Sequence, residues 1–380
     1  MSRLSASQLF STAAVLAAMA LTVLDAGVIN VAVPTLSAHF QAAPSHAVLV
    51  VSTYQAALLV GLLPAAHIAG RFGNRRVFAG GVGLFCVAAI MCALAPTLPL
   101  LIATRAVQGL GAAAVMALGV ALLRDALGSE RLVSAIAWNA LTVSASSAAG
   151  PTVGSAMLSV AAWPWLFLTG LPLGVAAMLA CRALPKSDET GKAIDALSIA
   201  LHAAAVILLV TAAMLAAKLL LLAIALAGTA AALLAVLVRR ARAQHAPMFP
   251  ADLLGQPAFA IQASAAVCCF IGQSVALVAL PFHLQRALSD ELLAMGLVIT
   301  CWPLGVACTS FVAGWVNHRP DRATQCAAGG GHTSGGSNPA RKLSFVGRLT
   351  TSRDQRGAVR CRIRAVSARQ QQRAVSRRSS

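Results

Sequence analysis

Apolar residues run along this chain in long blocks, not in the alternation of a strand or the one-sided stripe of a soluble helix. Ten blocks stand out, each near the ~20 residues that carry a helix across a bilayer. They lie at about 11–33, 47–68, 77–95, 99–123, 132–159, 164–182, 197–217, 219–238, 258–280 and 293–316. Only Lys218 separates the seventh from the eighth, which predicts a tight hairpin. Ala18-Met19-Ala20 has the form of a signal cleavage site, but the apolar run continues to Val33, so the first block is read as a span. From about Asp321 the pattern stops and Gly, Ser and scattered Arg take over, which predicts a disordered tail.

Composition strengthens this picture. Hydrophobic residues make up 58% of the 380 and charged residues 11%, where a soluble domain is about a quarter charged. Mean hydropathy is +0.79. That much apolar surface excludes an ordinary soluble globule and leaves an all-α integral membrane protein. The net charge of +18 is unevenly spread. Residues 321–380 hold 13 Lys/Arg against 2 acids, and residues 1–320 hold 16 against 9. A basic pI thus comes mainly from the tail, and no nucleic-acid partner is expected. The tail is expected to lie against anionic headgroups, at about 1 kcal/mol per basic residue. Nucleic-acid binding by the tail is the alternative, and a steep salt dependence would mark it.

The basic residues also give an orientation. With the N-terminus in the cytoplasm, 13 of the 16 fall on the cytoplasmic side, 2 (Lys218 and Arg286) outside, and Arg105 within a span. That is the bias of the positive-inside rule. The expected location is therefore the cell (inner) membrane, multi-pass, with the N-terminus cytoplasmic. The nine cysteines include no CxxC pair and read as small hydrophobes, and no metal site is expected. No phosphate-cradling loop, HExxH or GxSxG appears, so the chain is read as not an enzyme.

Charges inside the bilayer are few and costly, at about 2.5–3.5 kcal/mol each at a helix centre on insertion scales. Asp25 sits in the first block and Arg105 in the fourth. Removal from water favours the neutral form of a carboxyl group, so Asp25 is read as a proton-loading site. A packing or headgroup role is its alternative, and for Arg105 the alternative is a clamp on backbone carbonyls. Arg105, Gln108, Gly109 and Ala112 share one helical stripe, which must face other helices or a water-filled cavity. Asn30, Gln55, Gln108, Gln262 and Gln273 are candidates to line a substrate cavity, with helix-packing glue as the other reading. Pro151 within Gly150-Pro151-Thr152-Val153-Gly154 predicts a kink, and Gly150 and Gly154 predict a close helix contact.

Together these motifs resemble the major facilitator superfamily, in its fourteen-span drug:proton antiporter branch. Leu24-Asp25 through Pro34 resembles the first-span signature. Ala66-His67-Ile68-Ala69-Gly70-Arg71-Phe72-Gly73-Asn74-Arg75-Arg76 resembles the loop between the second and third spans. Arg105-Ala106-Val107-Gln108-Gly109-Leu110-Gly111 resembles the fourth-span motif, and Ala149 through Gly154 the fifth-span antiporter motif. Trp165-Leu166-Phe167 before Pro172-Leu173-Gly174 fits the sixth span. The resemblance covers about residues 10–320. It departs at Ala66, Gly70, Gly27 and Ser155, and Gly70 stands where an acid is usual.

The resemblance implies a secondary active transporter that exports amphipathic small molecules against proton entry. Its partners would be the lipid bilayer, a small-molecule substrate and protons, with no cofactor beyond the proton gradient. Asp25 and Arg105 would couple protons. Arg71, Gly73, Arg75 and Arg76 would form a cytoplasmic gate loop, and Gly150, Pro151 and Gly154 the bend for alternating access. The implied organisation is a six-helix bundle at 1–190, two linker helices at 191–245, the start of a second bundle at 246–320, and the tail at 321–380. Four spans of the branch have no counterpart after residue 320, and an out-of-frame tail on a truncated chain is the expectation there. The alternative function is a non-transporting membrane protein or scaffold.

Overall fold

The computed structural model describes residues 5–128, 131–184, 195–216 and 218–243, with a few single positions between 264 and 305. The chain divides into two units, Met1–Val312 and Ala313–Ser380, and every described residue lies in the first. The tail, Gln262 and Gln273 fall outside the described residues, as do all but those few positions of the expected ninth and tenth spans.

The described residues are all-helical. In chain order the helices are α1 (Ala6–His39), α2 (Pro44–Ala47), α3 (Leu49–Phe72), α4 (Asn74–Ala93), α5 (Leu98–Leu127), α6 (Leu132–Val160), α7 (Pro164–Leu168), α8 (Leu171–Ala180), α9 (Ala196–Leu215) and α10 (Leu220–Ala243). Seven helical stretches among the described residues are long and apolar enough to cross a membrane. The 29-residue α6 is an eighth long helix beside them.

Eight expected spans thus appear as helices, with two differences. Helices α1 and α5 overshoot their apolar blocks at both ends, because composition marks only the part matched to lipid. The 34 residues of α1 rise about 51 Å at 1.5 Å each, against about 30 Å of hydrocarbon. The sixth span is broken: Thr169 and Gly170 separate α7 from α8, and Pro172 starts the second piece. Between α9 and α10 the expected hairpin forms, with Lys218 and Leu219 N–H groups donating to the Leu215 carbonyl at 3.0 and 2.8 Å.

Small residues allow α5 to sit at the centre. A methyl group added at Gly111 would lie 2.7 Å from the Phe85 nitrogen on α4, and one at Gly61 would lie 2.7 Å from Ala113 Cβ. Close backbone approach of this kind is how membrane helices gain dispersion contact where lipid offers no hydrophobic drive. Helix α1 packs against α6, α8 and α5, and α9 rests on α3.

Of three apolar clusters in the interior, the smallest holds Leu21, Tyr54, Phe85 and Ala112, and the two larger ones lie on either side of it along α1 and α5. One gathers Val15, Met19, Phe78, Val82, Leu118 and Leu122. The other gathers Val28, Ile29, Val50, Leu101, Trp163 and Phe167. On both α1 and α5 the residues between these clusters include the polar ones, Asp25 on α1 and Arg105 and Gln108 on α5. The polar layer is therefore sealed from both helix ends by packed hydrocarbon.

The α3–α4 connection is a single glycine. Gly73 adopts φ +87°, and its N–H donates to the Ala69 carbonyl at 2.8 Å. Only glycine enters this region without Cβ strain. Beside it, Arg75 Nη1 donates to the Leu184 carbonyl at 3.1 Å, and Ser11 Oγ donates to the Ala183 carbonyl at 2.7 Å. The first, third and sixth spans are thus tied at this end. Asp195 caps α9 through the Ser198 N–H and receives Arg240 Nη2 at 3.2 Å, while its own N–H donates to His67 Nε2 at 3.1 Å.

Candidate functional site

The site is built from α1, α3, α4, α5 and α7. Asp25 is 6% exposed and Arg105 is fully buried. Arg105 Nη1 donates to Asp25 Oδ2 at 2.7 Å and to Gln108 Oε1 at 2.7 Å. Gln108 Nε2 donates to Asp25 Oδ1 at 3.2 Å. Both carboxylate oxygens are therefore occupied, and the three side chains close a ring of hydrogen bonds. Arg105 and Gln108 are three residues apart on one helix, which puts both on the same face toward α1.

The rest of the guanidinium is held by α3 and α7. Arg105 Nε donates to the Val50 carbonyl at 3.3 Å. The Tyr54 ring covers Arg105 with its centroid 4.2 Å from Cζ, and the Phe167 ring stands 5.7 Å away. Nη2 has no hydrogen-bond partner among the described residues. On the other side, Cys92 Sγ lies 3.6 Å from Gln108 Oε1 and 3.2 Å from Thr104 Oγ1. Thr104 donates its own proton to the Leu101 carbonyl at 2.9 Å, so its oxygen is free to accept from the thiol.

An ion pair in so dry a place is costly to form and more costly to break from one side, because removal of one partner strands the other charge. The two charges therefore hold each other in place, with Gln108 bonded to both.

The other candidates are placed as follows. Gln108 is fully buried in this network, so it faces Asp25 and Arg105 and not an open cavity. Asn30 is half-buried on α1, and Gln55 is exposed on α3 beside Tyr54. Gly150 and Gly154 press on α1: a methyl added at Gly154 would lie 2.8 Å from the Val28 carbonyl oxygen. Pro151 is inside α6. Arg71 and Arg76 are exposed, while Arg75 is tied to Leu184. Among the described residues, no group of three His, Cys, Asp or Glu could hold a metal ion.

Pattern reasoning did not find Tyr54, Val50, Cys92 or Thr104. Tyr54 carried one available signal, as the chain's single tyrosine and a polar-tipped residue within an apolar block.

The family model for the Major Facilitator Superfamily matches residues 15–335. The uncharacterized transporter YebQ of Escherichia coli is 34% identical over 310 residues, 79% of this chain and 67% of that protein. The riboflavin transporter RibZ of Clostridioides difficile is 26% identical over 297 residues, 77% and 64% of the two chains. The multidrug resistance protein Stp of Mycobacterium tuberculosis is 32% identical over 191 residues, 49% and 35%. The chain thus spans about two thirds of the first two relatives' length. The xylose transporter XylE of E. coli, in a partially occluded inward-open conformation, superposes with a TM-score of 0.55 at 13% identity, covering 83% of this chain and 74% of that one. At that identity the likeness is one of fold.

Proposed function

Because the chain belongs to the major facilitator superfamily and is a multi-pass membrane protein of the transporter class, we propose that it is a proton-coupled exporter of amphipathic small molecules, of the fourteen-span drug:proton antiporter branch. The observation that carries the reading is the buried Asp25–Arg105–Gln108 ring, with its 2.7 Å ion pair sealed between two apolar clusters. Intramembrane ionisable pairs of this kind mark proton relays in transporters.

In this reading Asp25 takes a proton from the outer side and releases it inward, and Arg105 is the counter-charge that drives release. Closing and opening of the pair shifts α1 against α5. The Gly27–Gly150 contact passes that shift to α6, and Pro151 gives α6 a place to bend. The tied end around Gly73, Arg75 and Leu184 acts as the gate. The N-terminus is cytoplasmic, residues 1–190 form the first bundle, and α9 and α10 are the linker pair. Similarity to Stp supports a drug substrate, and similarity to RibZ makes flavins the second class to test.

The test is efflux of ethidium from vesicles carrying the full chain, driven by an imposed pH gradient, with riboflavin run in parallel. Gradient-dependent efflux lost in Asp25→Asn is the expected result. Efflux that ignores the gradient in the wild type, or that persists unchanged in Asp25→Asn, sinks proton coupling at Asp25. An intact, inserted chain that moves neither compound favours the scaffold reading. An epitope tag between residues 40 and 46 should be reached only from outside.

A further inference from the structure

Tyr54 is the chain's only tyrosine, and it is 2% exposed in the second turn of α3. Two contacts fix it. Its hydroxyl donates to the Thr22 carbonyl at 3.3 Å, one turn before Asp25 on α1. Its ring face lies over the Arg105 guanidinium, 4.2 Å from Cζ. Val50, one turn earlier on α3, accepts from Arg105 Nε. Helix α3 therefore grips Arg105 twice, once by a carbonyl and once by a π face.

The guanidinium stands between two electron-rich partners. Asp25 binds its edge through Nη1, and Tyr54 covers its plane. The first partner is lost when it takes a proton. The second carries no charge, so it attracts the cation through its quadrupole without competing for that proton. Once Asp25 is neutral, the charge of Arg105 rests on the Val50 carbonyl, on Gln108 Oε1 and on this ring. Among the described residues, the other titratable group that interacts with it is Cys92, from α4. Helices α6 and α8 contain none, and α7 presents Phe167.

We propose that Tyr54 is a positioning residue for the Asp25–Arg105 pair, its ring holding the guanidinium in register while Asp25 is neutral so that the same pair re-forms when the proton leaves. This rests on the reading of Asp25 as the proton carrier. A weaker ring face leaves the neutral-carboxyl state less well supported, so that state is reached only at lower pH.

A single tyrosine makes the test clean. Growth on 3-fluorotyrosine or 3,5-difluorotyrosine alters this ring alone, withdrawing electron density from its face at almost constant shape. The readout is the infrared band of the protonated Asp25 carboxyl, isolated as the difference between wild type and Asp25→Asn, followed against pH in reconstituted membranes. It does not depend on transport.

The band's midpoint should move to lower pH in steps with each fluorine. In Tyr54→Leu it should move by about threefold to thirtyfold in proton concentration, the span of an exposed to a desolvated cation–π contact. Tyr54→Phe keeps the face and should stay within about twofold of wild type. Fluorinated chains that titrate at the wild-type midpoint overturn the inference, as does a Tyr54→Phe shift as large as that of the fluorinated chains. If no band distinguishes wild type from Asp25→Asn at any pH, the proton-carrier reading fails and takes this inference with it. A band that titrates but ignores the ring removes Tyr54 alone.

Discussion

Gly27 and Gly150 meet backbone to backbone: a methyl group added to Gly150 would lie 2.8 Å from the Gly27 Cα, and one added to Gly27 would lie 3.0 Å from the Gly150 Cα. The neighbours are backbone atoms, which cannot turn aside as a side chain can. Gly27→Ala or Gly150→Ala should each cost about 1–3 kcal/mol as overpacking. The double variant should cost less than the sum, because one displacement of α1 from α6 relieves both. Thermal unfolding of the purified protein in detergent measures this, and strict additivity would contradict a shared contact.

The ion pair gives an asymmetric prediction. Arg105→Ala leaves a buried carboxylate with no counter-charge and should cost about 3–5 kcal/mol unless Asp25 takes up a proton. Asp25→Asn keeps one acceptor, which can serve Arg105, but sets an NH2 against the Gln108 Nε2 donor. It should cost less, because Arg105 keeps the Val50 carbonyl, Gln108 Oε1 and the Tyr54 ring. Arg105→Lys should not restore the wild type, since one ammonium cannot reach the Val50 carbonyl, Asp25 and Gln108 with the flat fork that Arg105 uses. Unfolding midpoints of the three variants, ranked against wild type, check the order.

Gln108→Leu removes an acceptor from Arg105 and a donor to Asp25 while nearly conserving volume. Unmet buried polar groups of this sort cost about 1–3 kcal/mol each. Gln108→Glu should behave differently, placing a second carboxylate on the same Arg105 Nη1 and weakening the hold on Asp25. Infrared titration of the carboxyl bands in Gln108→Glu should show two coupled steps where the wild type shows one.

At the other end of α3, Gly73→Ala must adopt φ +87°, at a cost of about 1–2 kcal/mol. A second measurement tests the linker pair. Asp195→Ala removes the α9 cap, worth about 1 kcal/mol. It also removes an ion pair to Arg240, whose side chain is 39% exposed and so worth at most about 1 kcal/mol. Arg240→Ala should therefore destabilise by less than Asp195→Ala, and equal effects would show the cap to be idle.

The spans were legible because a bilayer imposes a one-dimensional rule. Each crossing must be helical and apolar over a fixed length, whatever its neighbours are. Asp25 and Arg105 were legible for the same reason, since a charge in an apolar block stands out. What failed to show was local: the break at Thr169 and Gly170, and the overshoot of α1 and α5 beyond their apolar blocks. An apolar block records the lipid and not the turn within it.

Which residues would meet was never in the sequence pattern. Asp25 and Arg105 are 80 positions apart, and Asp25 and Gln108 are 83 apart. Tyr54 looked like a lone aromatic until α3 and α5 brought its ring over the guanidinium, and the partner of Gly150 was unknown until α6 crossed α1 at Gly27. Hydropathy along a chain depends on each residue's own transfer from water, which is additive and readable in order. Pairing depends on helix rotation and crossing, set by packing among all the spans at once, and only the folded bundle decides that.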